Sequence, residues 1–259
     1  MDFLAKYLVT KMESEGLICQ LAEAYILDPN HATDLEYVLS RANIECFYKD
    51  LQFDVLGNPI CGVSRTQGGR KIIIISTQIT NPQRKRFTIA HEIGHVLLGH
   101  EPRTCTENML YIFNDRNTKE REANTFAAEL LLPKIGVERY LAIGDPTLTI
   151  AERMADRYST SVLSAAIRMV KKSKLSVALI KHNGVKTDWI IQSDSCIFKV
   201  NEGVIDERSI AYGLSDNRPS GLGEVDPAAW TEGNDDLKCR EHSKIYSGYC
   251  LTLLNLFEE

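Results

Sequence analysis

A chain of 259 residues with 44% hydrophobic and 25% charged residues suits two domains and can bury a proper core. Apolar runs such as Ile72 to Ile75 are too short to cross a bilayer. Met1-Asp2-Phe3 lacks the regions of a secretory signal, so no membrane partner is expected. The net charge of −5 is spread without any dense basic stripe: residues 146–174 hold six Lys/Arg against two Asp/Glu, and 175–259 hold eight against fourteen.

Apolar spacing predicts a helix over 4–26 and a second from about Asp34 to Ala42. The period then changes. Ile44–Tyr48, Ile60–Ser64 and the β-branched run Lys71–Ser76 look like strands, with Gly68-Gly69 as the turn between the last two. A mostly buried helix follows, with Asn81 as N-cap, Pro82 in its first turn, and a stop at Gly99 and Pro102. Another runs from about Thr118 to Leu132, stopped by Pro133. Residues 146–174 read as two short helices resembling a helix-turn-helix pair. From Leu175 strand character returns, with a type I′ turn signal at Asn183-Gly184 and a final apolar strand over 245–257.

The buried helix contains His91-Glu92-Ile93-Gly94-His95. Positions i and i+4 share a helix face, so both imidazoles can reach one metal ion, and Glu92 beside them can act as general base. A catalytic zinc needs a third protein ligand. His100 is one residue early for a third histidine, which leaves a carboxylate from the next helix: Glu120, Glu122 or Glu129. Glu120 and Glu122 point to opposite faces. Glu122 shares its face with Phe126 and Glu129 beside the small residues that permit close approach, and is favoured.

Arg86 to His95, then Leu98-Gly99-His100, then Glu122-Ala123-Asn124 with Phe126-Ala127-Ala128 and Leu131-Leu132-Pro133, resemble the ImmA/IrrE family of zinc metallopeptidases. The resemblance is strong over residues 40–135. It implies an α+β chain: a zincin-like peptidase domain (1–145), a helix-turn-helix-like connector (146–174) and a smaller α/β GAF-like sensor domain (175–259). It implies Zn2+ on His91, His95 and Glu122, with Glu92 as base. It also implies cleavage of a partner helix-turn-helix repressor upon a stress or DNA-damage signal, with an unidentified activating ligand at the C-terminal domain. On this reading a peptide substrate adds beside the Ile72–Ile75 strand.

Cys105, in the segment joining the two helices, is a candidate latency ligand whose thiolate could displace the water from zinc. His100, Tyr111 and Tyr140 are candidate oxyanion donors, none of them assigned. His182 is expected at the surface. Seven scattered cysteines without a C-x-x-C pair fit reduced thiols and a cytoplasmic location. Direct sequence-specific DNA binding is not supported, since 146–174 offers cations but no Gln or Asn base readers on its second helix. The alternative to an enzyme is a regulator that inactivates a repressor by binding it.

Overall fold

The computed structural model describes residues 14–106, 118–215, 217–232 and 236–258, which form two compact units. The first comprises residues 1–134 with 157–161, and the second comprises 135–156 with 162–259. Tyr111 lies outside the described residues, as does most of the first half of the helix expected over 4–26; residues 14–23 are helical.

In the first unit α1 (Leu35–Ala42) begins at Asp34, whose side chain accepts from the N–H groups of Glu36 and Tyr37. It ends at Asn43 in the left-handed region, which turns the chain into β1 (Ile44–Lys49). β2 (Ile60–Gln67) and β3 (Arg70–Ser76) form a hairpin through Gly68-Gly69, both with positive φ. α2 (Pro82–Leu97) carries the His-Glu-x-x-His segment. Asn81 Oδ1 accepts from the Arg84 N–H, and Pro82 fills the first position, where no N–H is needed. A short strand, β4 (Arg103–Thr106), precedes α3 (Thr118–Leu131).

The four strands lie in the order β1-β3-β2-β4. β3 pairs parallel with β1 and antiparallel with β2, so both its edges are taken. A peptide therefore has no place beside Ile72–Ile75, as the sequence had suggested; the strand is interior because its isoleucines are wanted in the core. The second edge of β2 is covered by β4, antiparallel, with Gly62 opposite Cys105, Val63 opposite Thr104 and Ser64 opposite Arg103.

The second unit holds α4 (Lys134–Leu141) from Ile135 on, α5 (Leu148–Tyr158) as far as Asp156, and α6 (Val162–Lys172), followed by an antiparallel sheet of order β6-β5-β9-β8-β7. Its strands are β5 (Val177–His182), β6 (Thr187–Gln192), β7 (Ser220–Val225), β8 (Leu237–Tyr246) and β9 (Tyr249–Glu258). The apolar end of the chain is thus a hairpin of β8 and β9 turning at Gly248, rather than one strand. His182, expected at the surface, is fully buried: its ring nitrogens meet Thr252 Oγ1 at 2.9 Å and the Gly184 N–H at 3.2 Å. Among the described residues no helix is long and apolar enough to cross a membrane.

Candidate metal centre

α2 and α3 cross closely because Gly94 has no side chain: a Cβ there would stand 3.1 Å from Phe126 and 3.3 Å from the Ala123 backbone. That approach faces His91 and His95 toward α3. Their Nε2 atoms are 3.0 Å apart, and Glu120 Oε2 is 3.2 Å from the first and 3.5 Å from the second. All three side chains are buried. Ligand atoms about 2.0–2.1 Å from a tetrahedral zinc stand about 3.4 Å apart, so this triangle fits such an ion.

The carboxylate meeting the histidines is thus Glu120, not Glu122. Glu122 lies on the other side of α3, with its Oε2 2.9 Å from His100 Nε2. Glu129 is buried further along and accepts from the Lys134 N–H at 2.7 Å, bracing the chain after α3. Glu120 shares its helical stripe with Ala123 and Ala127, both buried, and with Asn124 four residues on. That small-residue stripe, and not the face that Glu122 shares with Phe126, is the signal in the sequence for the inward carboxylate.

Hydrogen bonds fix the imidazole tautomers. His91 Nδ1–H donates to Asn124 Oδ1 at 2.9 Å, which leaves Nε2 as a free lone pair. His95 Nδ1 is 2.7 Å from His100 Nδ1, and His100 Nε2–H donates to Glu122. With that proton committed, His100 accepts at Nδ1, so His95 donates there and also keeps its Nε2 lone pair for a ligand role. Burial presses His95 down to about 4, which favours the neutral, metal-binding form. Burial opposes ionisation of Glu120, but the His91 and His95 rings beside its Oε2 outweigh that. Together with Arg103, whose Nη1 donates to Oε1 at 2.9 Å, they hold the carboxyl well below its usual range.

Glu92 is fully buried, and neither of its carboxylate oxygens makes a hydrogen bond. Burial raises its pKa, with the His91, Cys105 and Ser64 side chains opposing that rise. Its space comes from β2: a Cβ on Gly62 would stand 2.8 Å from both Cγ and Cδ of Glu92. A buried carboxylate without partners is costly unless something else occupies its vicinity. A cation with a water beside Glu92 fits both the orphaned oxygens and the neighbouring donor set.

Cys105 lies on β4 rather than in a loop. Its buried Sγ falls within one cluster with His91, His95 and Glu120, all ligand atoms lying within 4.8 Å of one another. Burial, then the charges of Glu92 and Glu120, push its thiol far up in the absence of a cation. Of the candidate oxyanion donors, His100 is committed to His95 and Glu122. Tyr140 lies on α4, within the second unit.

Residues 49–170 match the IrrE N-terminal-like domain of a peptidase family. That segment, a little under half of the chain, is similar to the IrrE-like peptidases. Over 113 residues it is 29% identical to the radiation response metalloprotease IrrE of Deinococcus radiodurans, covering 40% of this chain and 33% of that protein. The match spans about a third of that relative's length. In fold, the chain is similar to a Mycobacterium tuberculosis transcriptional regulator, with a TM-score of 0.54 at 12% identity over 94% of this chain and 76% of the other.

Proposed function

We propose that this chain is a zinc-dependent endopeptidase of the cytoplasm that cuts a partner helix-turn-helix repressor in response to a stress or DNA-damage signal. The match of residues 49–170 to the IrrE N-terminal-like domain and the radiation response in the name of the Deinococcus relative support that reading. The observation that carries it is Glu92, fully buried with both oxygens unpartnered, on the same helix turn as the converging histidines. A purely structural ion would have no use for a buried base there.

His91 and His95 through Nε2 and Glu120 through Oε2 would hold the ion, which supplies Lewis acidity toward a peptide carbonyl and an attacking water. Asn124 and His100 keep the two imidazoles oriented. Glu92 takes a proton from the water at its carboxylate and returns it to the leaving amine. Burial raises the pKa of this carboxyl, which helps it hold the proton between the two transfers. Residues 146–174 would serve as a helix-turn-helix-like connector, and residues 175–259 as a GAF-like sensor that binds the activating ligand.

Glu92→Gln tests the reading against the alternative of a regulator that inactivates its repressor by binding. The substituted protein should bind zinc and repressor as before yet yield no cleavage fragments by mass spectrometry. If it still relieves repression in cells at the native level, the chain acts by binding and not by cutting.

A further inference from the structure

β4 occupies the one edge of β2 that a substrate peptide would need. Gly62 is the residue of β2 whose bare Cα lies against Glu92, so a peptide adding to β2 would be laid across the catalytic carboxylate. In the structure the chain's own residues 103–106 hold that position, antiparallel, with Cys105 opposite Gly62. Alternate residues of a strand share a face, and the 103/105 face of β4 looks into the metal centre. Arg103 Nη1 donates to Glu120 Oε1 at 2.9 Å, and Cys105 Sγ joins the two histidines and Glu120 in a buried four-atom cluster.

We propose that β4 is a built-in plug: Cys105 is the fourth ligand of the ion, and peptide access requires β4 to leave β2. This rests on the metallopeptidase reading and adds its regulation. Three protein ligands leave a position for water, whereas four close the sphere. The thiol enters as thiolate, its S–H proton passing to solvent, and no oxidant or reductant is involved. Displacement of β4 takes the sulfur away and reopens the position. β4 is short enough for this: four residues, with an irregular register between Ile60 and Gly62. Glu92, fully buried with both carboxylate oxygens unpartnered, is then the group that meets a water in the reopened position.

Cobalt(II) loaded into the full chain reports the sulfur directly, because a thiolate–cobalt bond gives a charge-transfer band in the near ultraviolet that nitrogen and oxygen ligands do not. The native chain should show that band, and Cys105→Ser and Cys105→Ala should both lose it while keeping the weaker visible bands of a bound cobalt. The same two variants should release zinc to a competing chelator at least about tenfold more readily. Visible bands without the charge-transfer band in the native chain would overturn the plug but leave the metal centre standing. A band that survives both substitutions would place another thiol, such as Cys61, on the metal and would equally sink it. Failure of the native chain to bind cobalt or zinc at all would overturn both the plug and the metallopeptidase reading.

Discussion

His95 Nδ1 lies 2.7 Å from His100 Nδ1, and the far nitrogen of His100 lies 2.9 Å from Glu122. Glu122 therefore acts on His95 through a second imidazole, while Glu120 faces the histidines itself. Loss of an orienting partner commonly costs about 10- to 100-fold in metal affinity. His100→Ala should fall in that range, and Glu122→Gln near its lower end, since the amide oxygen can still accept from His100. Glu120→Gln should weaken zinc binding more than either, measured by competition with a chelator. If Glu122→Gln proves the more damaging of the two carboxylate changes, the assignment of the third ligand is wrong.

Gly62→Ala separates the base from the metal. The new Cβ would press on Cγ and Cδ of Glu92, which has no exposed direction in which to retreat. Displacing a general base costs about 10²- to 10⁴-fold in rate. Cleavage of the partner should drop by at least about 100-fold, with zinc affinity changed only a few-fold, and overpacking should destabilise the first unit by about 1–3 kcal/mol. Retention of full activity would mean that Glu92 does not need the place it occupies.

Much of the metal helix is legible from local chemistry. Asn81, Pro82 and the i, i+4 histidines depend only on helix geometry, and the Gly68-Gly69 turn only on backbone freedom; at Asn183-Gly184 the glycine alone has positive φ and the loop runs over 183–186, so the type I′ turn expected there is not formed. What the sequence hides is set by rotation and pairing between distant segments. Glu120 and Glu122 are about 200° apart on the helix, and only the packing of Ala123 against Gly94 decides which one turns inward. β4 is four residues long, too short to show a periodicity of its own, and only pairing with β2 makes Cys105 a strand residue. His182 sits just before an Asn-Gly turn, a position that suggests exposure, yet the neighbouring strand β9 covers it through Thr252.

That burial makes His182 a source of acid sensitivity in the second unit. Burial lowers its pKa to about 4 from 6.5, with Asp188 opposing only in part. The unfolded chain takes up a proton below about 6.5 and the folded chain only below about 4. The contribution to stability is therefore complete above the first value and lost as the pH falls between them. At 1.36 kcal/mol per pH unit the whole effect is roughly 3 kcal/mol, of which about 2 is gone by pH 5. Urea unfolding followed by tryptophan fluorescence isolates this unit, since both tryptophans, Trp189 and Trp230, belong to it. His182→Gln should show a flatter loss of stability between pH 7.5 and 5 than the native chain. Identical slopes would mean that the ring is not held neutral by the fold.

Glu241 should prove the strongest single anchor of the second unit. Its buried carboxylate accepts from the Ile210 N–H at 3.0 Å, the Ala211 N–H at 2.6 Å, Trp230 Nε1 at 2.8 Å and Ser243 Oγ at 2.6 Å. Four donors on two oxygens satisfy the charge and tie two separate loop positions to β8, which is why an acid can sit there at all. Glu241→Gln keeps the shape but turns an N–H₂ toward N–H donors. Leaving buried donors without an acceptor, some of them matched to a charge, should cost about 2–4 kcal/mol. Trp230→Phe removes one donor and leaves three, so about 1–2 kcal/mol is expected. In the same urea experiment, with Trp189 as the probe for the second variant, Glu241→Gln should be the more destabilising. If Trp230→Phe costs more, the bulk of the indole, and not the carboxylate it meets, holds these loops in place.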